Sequence, residues 1–262
     1  MVCGIFFRGF VFFVYFCSVI SKAKLKELAA YRLQKRLDEE GFFVVEGPKM
    51  AAEALAAGAE VVCTCATNEW PVASDQWPEG VFFEVSQAEL ERLSLMRAPN
   101  QVWMLVRRRE VKPQPSPLTL ALDRIQDPGN MGTIMRTADW YGVRHIVCSR
   151  DTVSCYNPKV VQASMGAVFR TRVEYCDLPQ WLAACGMPVY GATLDGESLA
   201  SGVQQVSEGA PAVLLIGNEG RGISPEAMQG VTRPVTIPNL GGTAESLNAA
   251  VATAILIDRL IG

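Results

Sequence analysis

Histidine is nearly absent from this chain of 262 residues, because His145 is the only one. A metal site built from several histidines is therefore excluded, and a Ser/His or Cys/His mechanism would depend on that single residue. Positive charge is not in excess either: 24 basic and 27 acidic side chains leave a formal charge of −3. This balance disfavours a protein that coats nucleic acid non-specifically, but it is compatible with a local basic patch.

The eight cysteines carry no metal or disulfide signature. They are scattered along the chain, and none forms a Cys-x-x-Cys pair. In a chain that is 49% hydrophobic, scattered cysteines are typical of buried thiols in a reducing cytosol. We therefore expect a cytoplasmic globular protein that binds no metal.

The first twenty residues are strongly apolar. Arg8 interrupts the run, which is then too short for a spanning helix of about 20 residues, and no Ala-x-Ala cleavage site follows it. We interpret 1–20 as an extension upstream of a translation start near Val19 or Ile20. A membrane-associating segment and a signal or anchor are the alternatives, and no stable membrane partner is expected.

The rest of the chain divides in two at a proline-rich segment. Ser21 predicts the cap of a basic helix over 22–36, and strands and helices then alternate to 106, which predicts a small α/β domain at 21–106. Three prolines in five residues make 107–117 a linker. Residues 118–262 alternate strand and helix, with a strand expected at 189–192 and a long final helix at 246–260. The apolar runs at 146–148 and 212–216 predict a parallel sheet covered on both faces.

Three loops follow strands of this sheet, at the edge where ligands bind. After 118–122, Asn130 and Gly132 are expected to open a helix, with Arg136 one turn inside it. A helix start with an arginine suits an anion, although a capped helix with a surface arginine is the simpler alternative. After 212–216 comes Gly-Asn-Glu-Gly-Arg-Gly-Ile-Ser, which is neither a dinucleotide fingerprint nor a P-loop. The third loop, 238–248, ends in Ser-Leu-Asn before an Ala-rich helix, where capping is the structural alternative.

Together the motifs Asn-x-Gly-x-x-x-Arg-Thr-Ala, Ile-Gly-Asn-Glu-Gly-x-Gly-Ile and Ile-Pro…Ser-Leu-Asn-Ala-Ala resemble those of the SpoU (TrmH) family. Its members are S-adenosylmethionine-dependent RNA ribose 2′-O-methyltransferases. The segments 157–170 and 43–47 are also similar, and the latter is typical of the family's ribosomal-protein-like domain. The resemblance covers about residues 21–262.

This resemblance implies an α/β fold with a small N-terminal ribosomal-protein-like RNA-binding domain. It implies a C-terminal parallel-sheet α/β domain with a deep trefoil knot of the SPOUT type, and a homodimer packed through the knot. S-adenosylmethionine would be the methyl donor, S-adenosylhomocysteine the product, and structured RNA the partner, with rRNA favoured over tRNA. By position, the polar active-site residues are Asn130, Arg136, Glu219, Ser246 and Asn248. The residues expected around the donor are Thr193, Leu194, Gly217, Ile237 and Leu247.

The chemistry suits these residue types, because direct methyl transfer to a ribose 2′-OH needs no cysteine or serine nucleophile. Our hypothesis is that Arg136 positions and activates the 2′-OH, while Asn130, Ser246 and Asn248 orient it. One departure affects the donor pocket: Asn239 stands where the family has methionine, and 241–245 is longer. The alternatives are a non-catalytic RNA-binding member of the fold and a base N-methyltransferase.

Overall fold

The computed structural model describes residues 18–71, 81–109, 111–112, 114–199, 206 and 210–261. Its strands are β1 (Ser18–Val19), β2 (Phe42–Glu46), β3 (Val61–Ala66), β4 (Val81–Glu84), β5 (Val102–Arg107), β6 (Leu118–Leu122), β7 (His145–Ser149), β8 (Arg172–Cys176), β9 (Val189–Ser198), β10 (Ala212–Ile216) and β11 (Arg233–Thr236). Its α-helices are α1 (Lys22–Ala29), α2 (Gln34–Glu40), α3 (Pro48–Ala56), α4 (Gln87–Leu93), α5 (Pro128–Trp140), α6 (Pro158–Ser164), α7 (Leu178–Ala184), α8 (Pro225–Met228) and α9 (Ala249–Ile261). Within these ranges, no helix combines the length and the apolar character that a membrane crossing requires.

The first sheet has the order β1-β4-β3-β5-β2, and its strands β2, β3 and β5 contribute buried side chains to clusters on both faces. Side chains alternate between the two faces along a strand. In β2, Phe42 and Val44 therefore pack into a cluster with Leu25 and Leu28 of α1. Phe43 on the opposite face packs against residues of the second half of the chain, with its ring 5.9 Å from that of Phe169.

The N-terminal part of this sheet differs from the sequence prediction in two ways. Ordered structure begins before Ser21, since β1 pairs in parallel with β4 and the apolar side chain of Ile20 is buried; residues 1–17 of the predicted extension lie outside the described ranges. The helix predicted over 22–36 is broken at Leu33, which is extended. A continuous helix would place Tyr31 and Leu37 about 120° apart around its axis, whereas the break lets both side chains enter the core.

The second sheet has the order β11-β9-β10-β6-β7-β8, and all of its pairings are parallel. Every residue of β6 and of β10 is buried, as expected of central strands covered on both faces. The predicted α/β architecture with a parallel sheet is confirmed.

Three element boundaries around the loops differ from the prediction. The helix α5 begins at Pro128, not at Gly132, because Asp127 caps it and proline suits a first turn. The final helix begins at Ala249, not at Ser246. The strand β9 continues to Ser198 instead of ending at 192, because its polar second half pairs with β11 after a register shift between Pro234 and Val235.

Candidate active site

The first loop, after β6, presents the amide of Asn130 from the first turn of α5. The Oδ1 atom of Asp127 accepts the backbone N–H of Asn130 at 2.8 Å, which fixes the start of the helix. The side chain of Asn130 remains available for contacts with other loops, and it is half-buried.

The second loop, after β10, is closed on itself. Asn218 and Gly222 exchange both backbone hydrogen bonds, at 3.0 and 2.9 Å. A Cβ atom at Gly217 would lie 2.2 Å from the backbone of Gly222 and Ile223. Glycine is therefore required at 217 by the close approach of the loop to itself, and the closed loop holds Glu219 at its tip.

Three residues from the three loops form one chain of hydrogen bonds. Asn248 donates from Nδ2 to Oδ1 of Asn130 at 2.8 Å. Asn130 in turn donates from its own Nδ2 to Oε1 of Glu219 at 2.7 Å. Residues that are 118 and 89 positions apart in sequence thus meet at the carboxyl edge of the parallel sheet.

Arg136 and Ser246 are not part of this chain of hydrogen bonds. Both are exposed, and no hydrogen bond or ion pair of either side chain is seen within the described ranges. Because α5 begins at Pro128, Arg136 lies about two turns into the helix and not one, and about 120° around the axis from Asn130. The guanidinium of Arg136 therefore faces solvent.

The residues expected around the donor lie on or after β9, β10 and β11. Thr193 has a buried Oγ1 with no hydrogen-bond partner in the described part of the chain. Leu194 is 72% exposed, and its carbonyl accepts the hydroxyl of Thr236 at 3.0 Å, which places it beside the end of β11. Ile237 packs partly buried against the core, whereas Leu247 is 48% exposed.

Two asparagines shape these loops, a role that was not predicted for either of them. The Oδ1 atom of Asn218 accepts the N–H groups of Gly220 and Arg221 at 3.0 and 3.1 Å, and its Nδ2 donates to the carbonyl of Arg124 at 2.9 Å. Asn239 acts similarly, accepting the N–H groups of two glycines that follow it, at 3.0 and 2.7 Å. The signal was an asparagine two or three residues before glycine, which favours such side-chain-to-backbone turns.

A buried carboxylate also ties the first loop to the second. Asp123, at the end of β6, accepts the backbone N–H of Ser224 through Oδ2 at 2.6 Å. His145, in contrast, lies at the start of β7 and pairs with Glu174 at 3.1 Å. Within the ranges that the structure describes, no group of three or more His, Cys, Asp or Glu side chains is placed to hold a metal.

A parallel α/β sheet with three polar loops joined at its carboxyl edge defines a class of ligand-binding enzyme fold. Family models identify the class further. The model of the SpoU rRNA methylase family matches residues 117–258, more than half of the chain, and that of the MRM3-like substrate binding domain matches 22–103. The chain belongs to the SpoU rRNA methylase family, and the resemblance drawn from its motifs is confirmed.

Individual relatives agree with this assignment. The chain is 29% identical to the 23S rRNA (guanosine(2553)-2′-O)-methyltransferase RlmP of Bacillus subtilis, over 91% of this chain and 96% of that protein. A solved structure described as a putative RNA methyltransferase of the TrmH family from Porphyromonas gingivalis is 37% identical, with a TM-score of 0.81 over 93% of this chain and 99% of that one. The AdoMet-bound rRNA methyltransferase from Sinorhizobium meliloti is 29% identical, with a TM-score of 0.78 over 92% and 95%.

Proposed function

We propose that this protein transfers a methyl group from S-adenosylmethionine to a ribose 2′-OH in ribosomal RNA. The observation that carries the proposal is the chain of hydrogen bonds from Asn248 through Asn130 to Glu219. It joins the three family motifs into one polar surface. The relatives named above are rRNA 2′-O-methyltransferases or are described as RNA methyltransferases, which favours rRNA over tRNA.

The residues at this edge fit the donor. The buried, unpartnered hydroxyl of Thr193 offers a hydrogen bond to a polar group, and such a hydroxyl is costly if left without one. The exposed side chains of Leu194 and Leu247 offer apolar contact to an adenine ring. When bound, S-adenosylmethionine would supply an electrophilic methyl group for transfer to the ribose oxygen. Gly217 and Ile237 complete the proposed donor contacts.

The chain's own contribution is orientation and charge. Asn248 and Asn130 fix each other's amide orientation, and Asn130 holds the carboxylate of Glu219 in place. Preorganised polar groups of this kind act without reorganising during the reaction. Arg136 has no competing ion pair among the described residues, so its planar guanidinium is available for a ribose oxygen and the neighbouring phosphate. Ser246 is proposed to orient the same ribose.

The finer architecture of the family is proposed for this chain as well: residues 118–262 form a domain with a deep trefoil knot. The extended pairing of β9 with β11 supports this, because a Cβ atom at Gly196 would lie 2.4 Å from the backbone of Val235, so the two segments pass in close contact. We also propose a homodimer packed through the knot region. Exposed apolar side chains on the packed helices α5 and α9 support it, namely Trp140 (85% exposed) and Val251 (48% exposed).

RNA binding is proposed to begin in residues 21–106, with 107–117 as the linker. Basic side chains of the segment 22–36 support this, because Lys22, Lys26 and Lys35 are exposed and phosphate contacts supply most non-specific affinity for nucleic acid. Cytoplasmic location is proposed because the six described cysteines are free, as is usual in a reducing compartment.

The test is methyl transfer in vitro. Purified protein is incubated with labelled S-adenosylmethionine and either deproteinised rRNA or bulk tRNA, and the labelled nucleoside is identified after digestion. A 2′-O-methylnucleoside from rRNA supports the proposal. Label in tRNA alone, in a base-methylated nucleoside, or in no RNA would contradict it.

A further inference from the structure

A cavity of about 290 Å³ lies where the linker crosses the edge of the second sheet, away from the three motif loops. Its walls come from the linker (Arg108 and Arg109), from the loop after β7 (Tyr156), and from Thr171 just before β8 and Arg172 at its start. The strand β8 is three positions from β10 in the sheet, a lateral distance of about 14 Å at ~4.8 Å per strand. The two arginines of the linker lie between the segments that the two family models match.

One residue of the cavity wall carries a buried polar group without a partner. Thr171 is 2% exposed, and its Oγ1 has no hydrogen-bond partner in the described part of the chain. A buried hydroxyl left unpaired costs about 1–3 kcal/mol. A ligand with an oxygen acceptor would satisfy it.

The cations of the cavity are held in place before any ligand arrives. Arg109 donates to the carbonyls of Ala57 and Gly58 at 2.7 and 3.1 Å, just after the end of α3. These bonds use two of the five N–H donors of its guanidinium. The guanidinium of Arg108 lies 4.7 Å from the ring centre of Tyr156 and also pairs with Asp38.

The charge of the lining favours an anion. Three arginines face the cavity against one carboxylate, that of Glu174, which is paired with Arg172 and His145. Arg109 is bound only by backbone carbonyls among the described residues, so its charge is not neutralised. Burial raises the pKa of Tyr156 to about 12 and that of Cys155 to about 11, so both of these lining side chains are uncharged at physiological pH.

We propose that this cavity is a second RNA contact, in which Arg109 and Thr171 bind a backbone phosphate of the substrate strand. Arginine and hydroxyl donors together are the usual partners of phosphate oxygens. The lateral distance of about 14 Å between β8 and β10 corresponds to about four stacked nucleotides at ~3.4 Å each, and the offset along the strands adds to it, because Thr171 precedes β8 whereas the motif loops lie at the carboxyl ends. The contact would therefore fix the register of the strand whose ribose enters the active site. This inference rests on the proposed function, because RNA supplies the phosphate.

Three variants of the full-length protein test this site, with a mixed-sequence single-stranded RNA carrying fluorescein as the probe. Arg109→Gln should raise the Kd about 3- to 10-fold and reduce the slope of log K against log salt by about 0.7, the contribution of one phosphate contact on a single strand. Thr171→Val should raise the Kd about 2-fold without changing that slope or lowering the Tm, since the hydroxyl has no partner to lose. Lys112→Gln removes an exposed charge from the same linker outside the cavity and should change neither quantity.

The proposal is overturned if Arg109→Gln and Lys112→Gln change the Kd and the salt slope equally, or if Arg109→Gln changes neither. Adenosine 5′-monophosphate, titrated by calorimetry, distinguishes a free nucleotide as the source of the phosphate. The proposal would also be overturned if binding of this nucleotide depends on Arg109 while the affinity for RNA does not. Failure of the proposed function would give a different result. If the wild-type protein methylates no RNA, the RNA affinities of the variants can still be compared. If the enzyme is active but Arg109→Gln leaves the salt slope unchanged, only the proposed cavity contact is refuted.

Discussion

Asn248 bonds to Asn130 across 118 positions of sequence while it caps its own helix. Its Nδ2 donates to Oδ1 of Asn130 at 2.8 Å, and its Oδ1 accepts the backbone N–H groups of Ala250 and Val251 at 2.9 and 3.3 Å. The oxygen and the nitrogen of this one amide thus have different roles. The oxygen stabilises the start of α9, and the nitrogen connects the third motif to the first.

These two roles predict different results for two substitutions of Asn248. Asn248→Asp keeps the cap, because aspartate caps as well as asparagine, and loses the exposed bond to Asn130, so we expect the free energy of unfolding to fall by no more than about 1 kcal/mol. Methyl transfer should fall about 100-fold from misorientation. Asn248→Ala also removes the cap, so it should lose activity and be about 1 kcal/mol less stable than Asn248→Asp. Urea unfolding and single-turnover methyl transfer measure both, and full activity in Asn248→Asp would refute the role of the amide nitrogen.

The contact between Asn130 and Glu219 predicts a rescue. Asn130→Asp replaces a donor with a second carboxylate beside Glu219, so we expect a loss of about 1–3 kcal/mol in the free energy of unfolding. Adding Glu219→Gln restores one donor and one acceptor, and it should recover most of that loss. A double-mutant cycle by urea unfolding measures the coupling. Additive effects of the two substitutions would show that the pair does not interact.

Arg136 is predicted to matter for activity and not for stability. Its side chain is exposed and unpaired among the described residues, so Arg136→Ala should change the free energy of unfolding by less than about 0.5 kcal/mol. Methyl transfer should fall by about 100-fold or more, while calorimetry still detects donor binding. Arg136→Lys, which keeps the charge without the planar fork, should recover little activity. Retained activity in Arg136→Ala would exclude this arginine from the site.

Sequence patterns predicted the parallel sheet because its central strands carry their own signal. Every residue of β10 is apolar and buried, so burial on both faces is visible in the sequence. The second half of β9 has no such signal, because its residues are mostly exposed and its pairing depends on β11, about 40 positions later. Local patterns cannot show a partner that distant.

The sequence predicted which residues belong to the candidate site but not how they are arranged. Asn130, Glu219 and Asn248 stood out as polar groups at strand ends, and the structure brings them together. The predicted position of Arg136 relative to the helix start was wrong, because the helix was expected to open at Asn130 and Gly132, whereas Asp127 caps it one turn earlier. Capping by aspartate before proline is a sequence signal, and it would have placed Arg136 two turns in.

Close packing of α5 on α6 predicts a strict requirement at Gly132. A Cβ atom there would lie 2.4 Å from that of Ala163 and 2.9 Å from the carbonyl of Val160. Gly132→Ala should therefore lower the free energy of unfolding by about 1–3 kcal/mol through overpacking, even though alanine is the better helix former. Gly220→Ala, where the nearest atom lies 3.8 Å away, is the matched control and should stay close to wild type. Thermal and urea unfolding compare the two, and equal stabilities would contradict the packing.

The buried carboxyl of Glu46 predicts a pH dependence of stability. Burial raises its pKa above the ordinary value of 4.5, against the opposing hydrogen bonds from Ser94 and from the N–H of Leu95. The folded state then holds its proton to a higher pH than the unfolded state, so this group's contribution to stability is greatest below about pH 4.5 and falls as pH rises toward the folded pKa. Glu46→Gln mimics the protonated form and should remove that fall. Urea unfolding from pH 4.5 upward measures it, and parallel profiles for wild type and variant would contradict the prediction.

We propose that this chain methylates one ribose in ribosomal RNA, and a map of 2′-O-methyl groups in rRNA from cells that lack the gene tests this most directly. We expect one ribose methyl to disappear, to return when the wild-type chain is supplied, and to stay absent when Arg136→Ala or Asn248→Asp is supplied instead. A complete set of rRNA ribose methyl groups in the deletion strain would contradict the account.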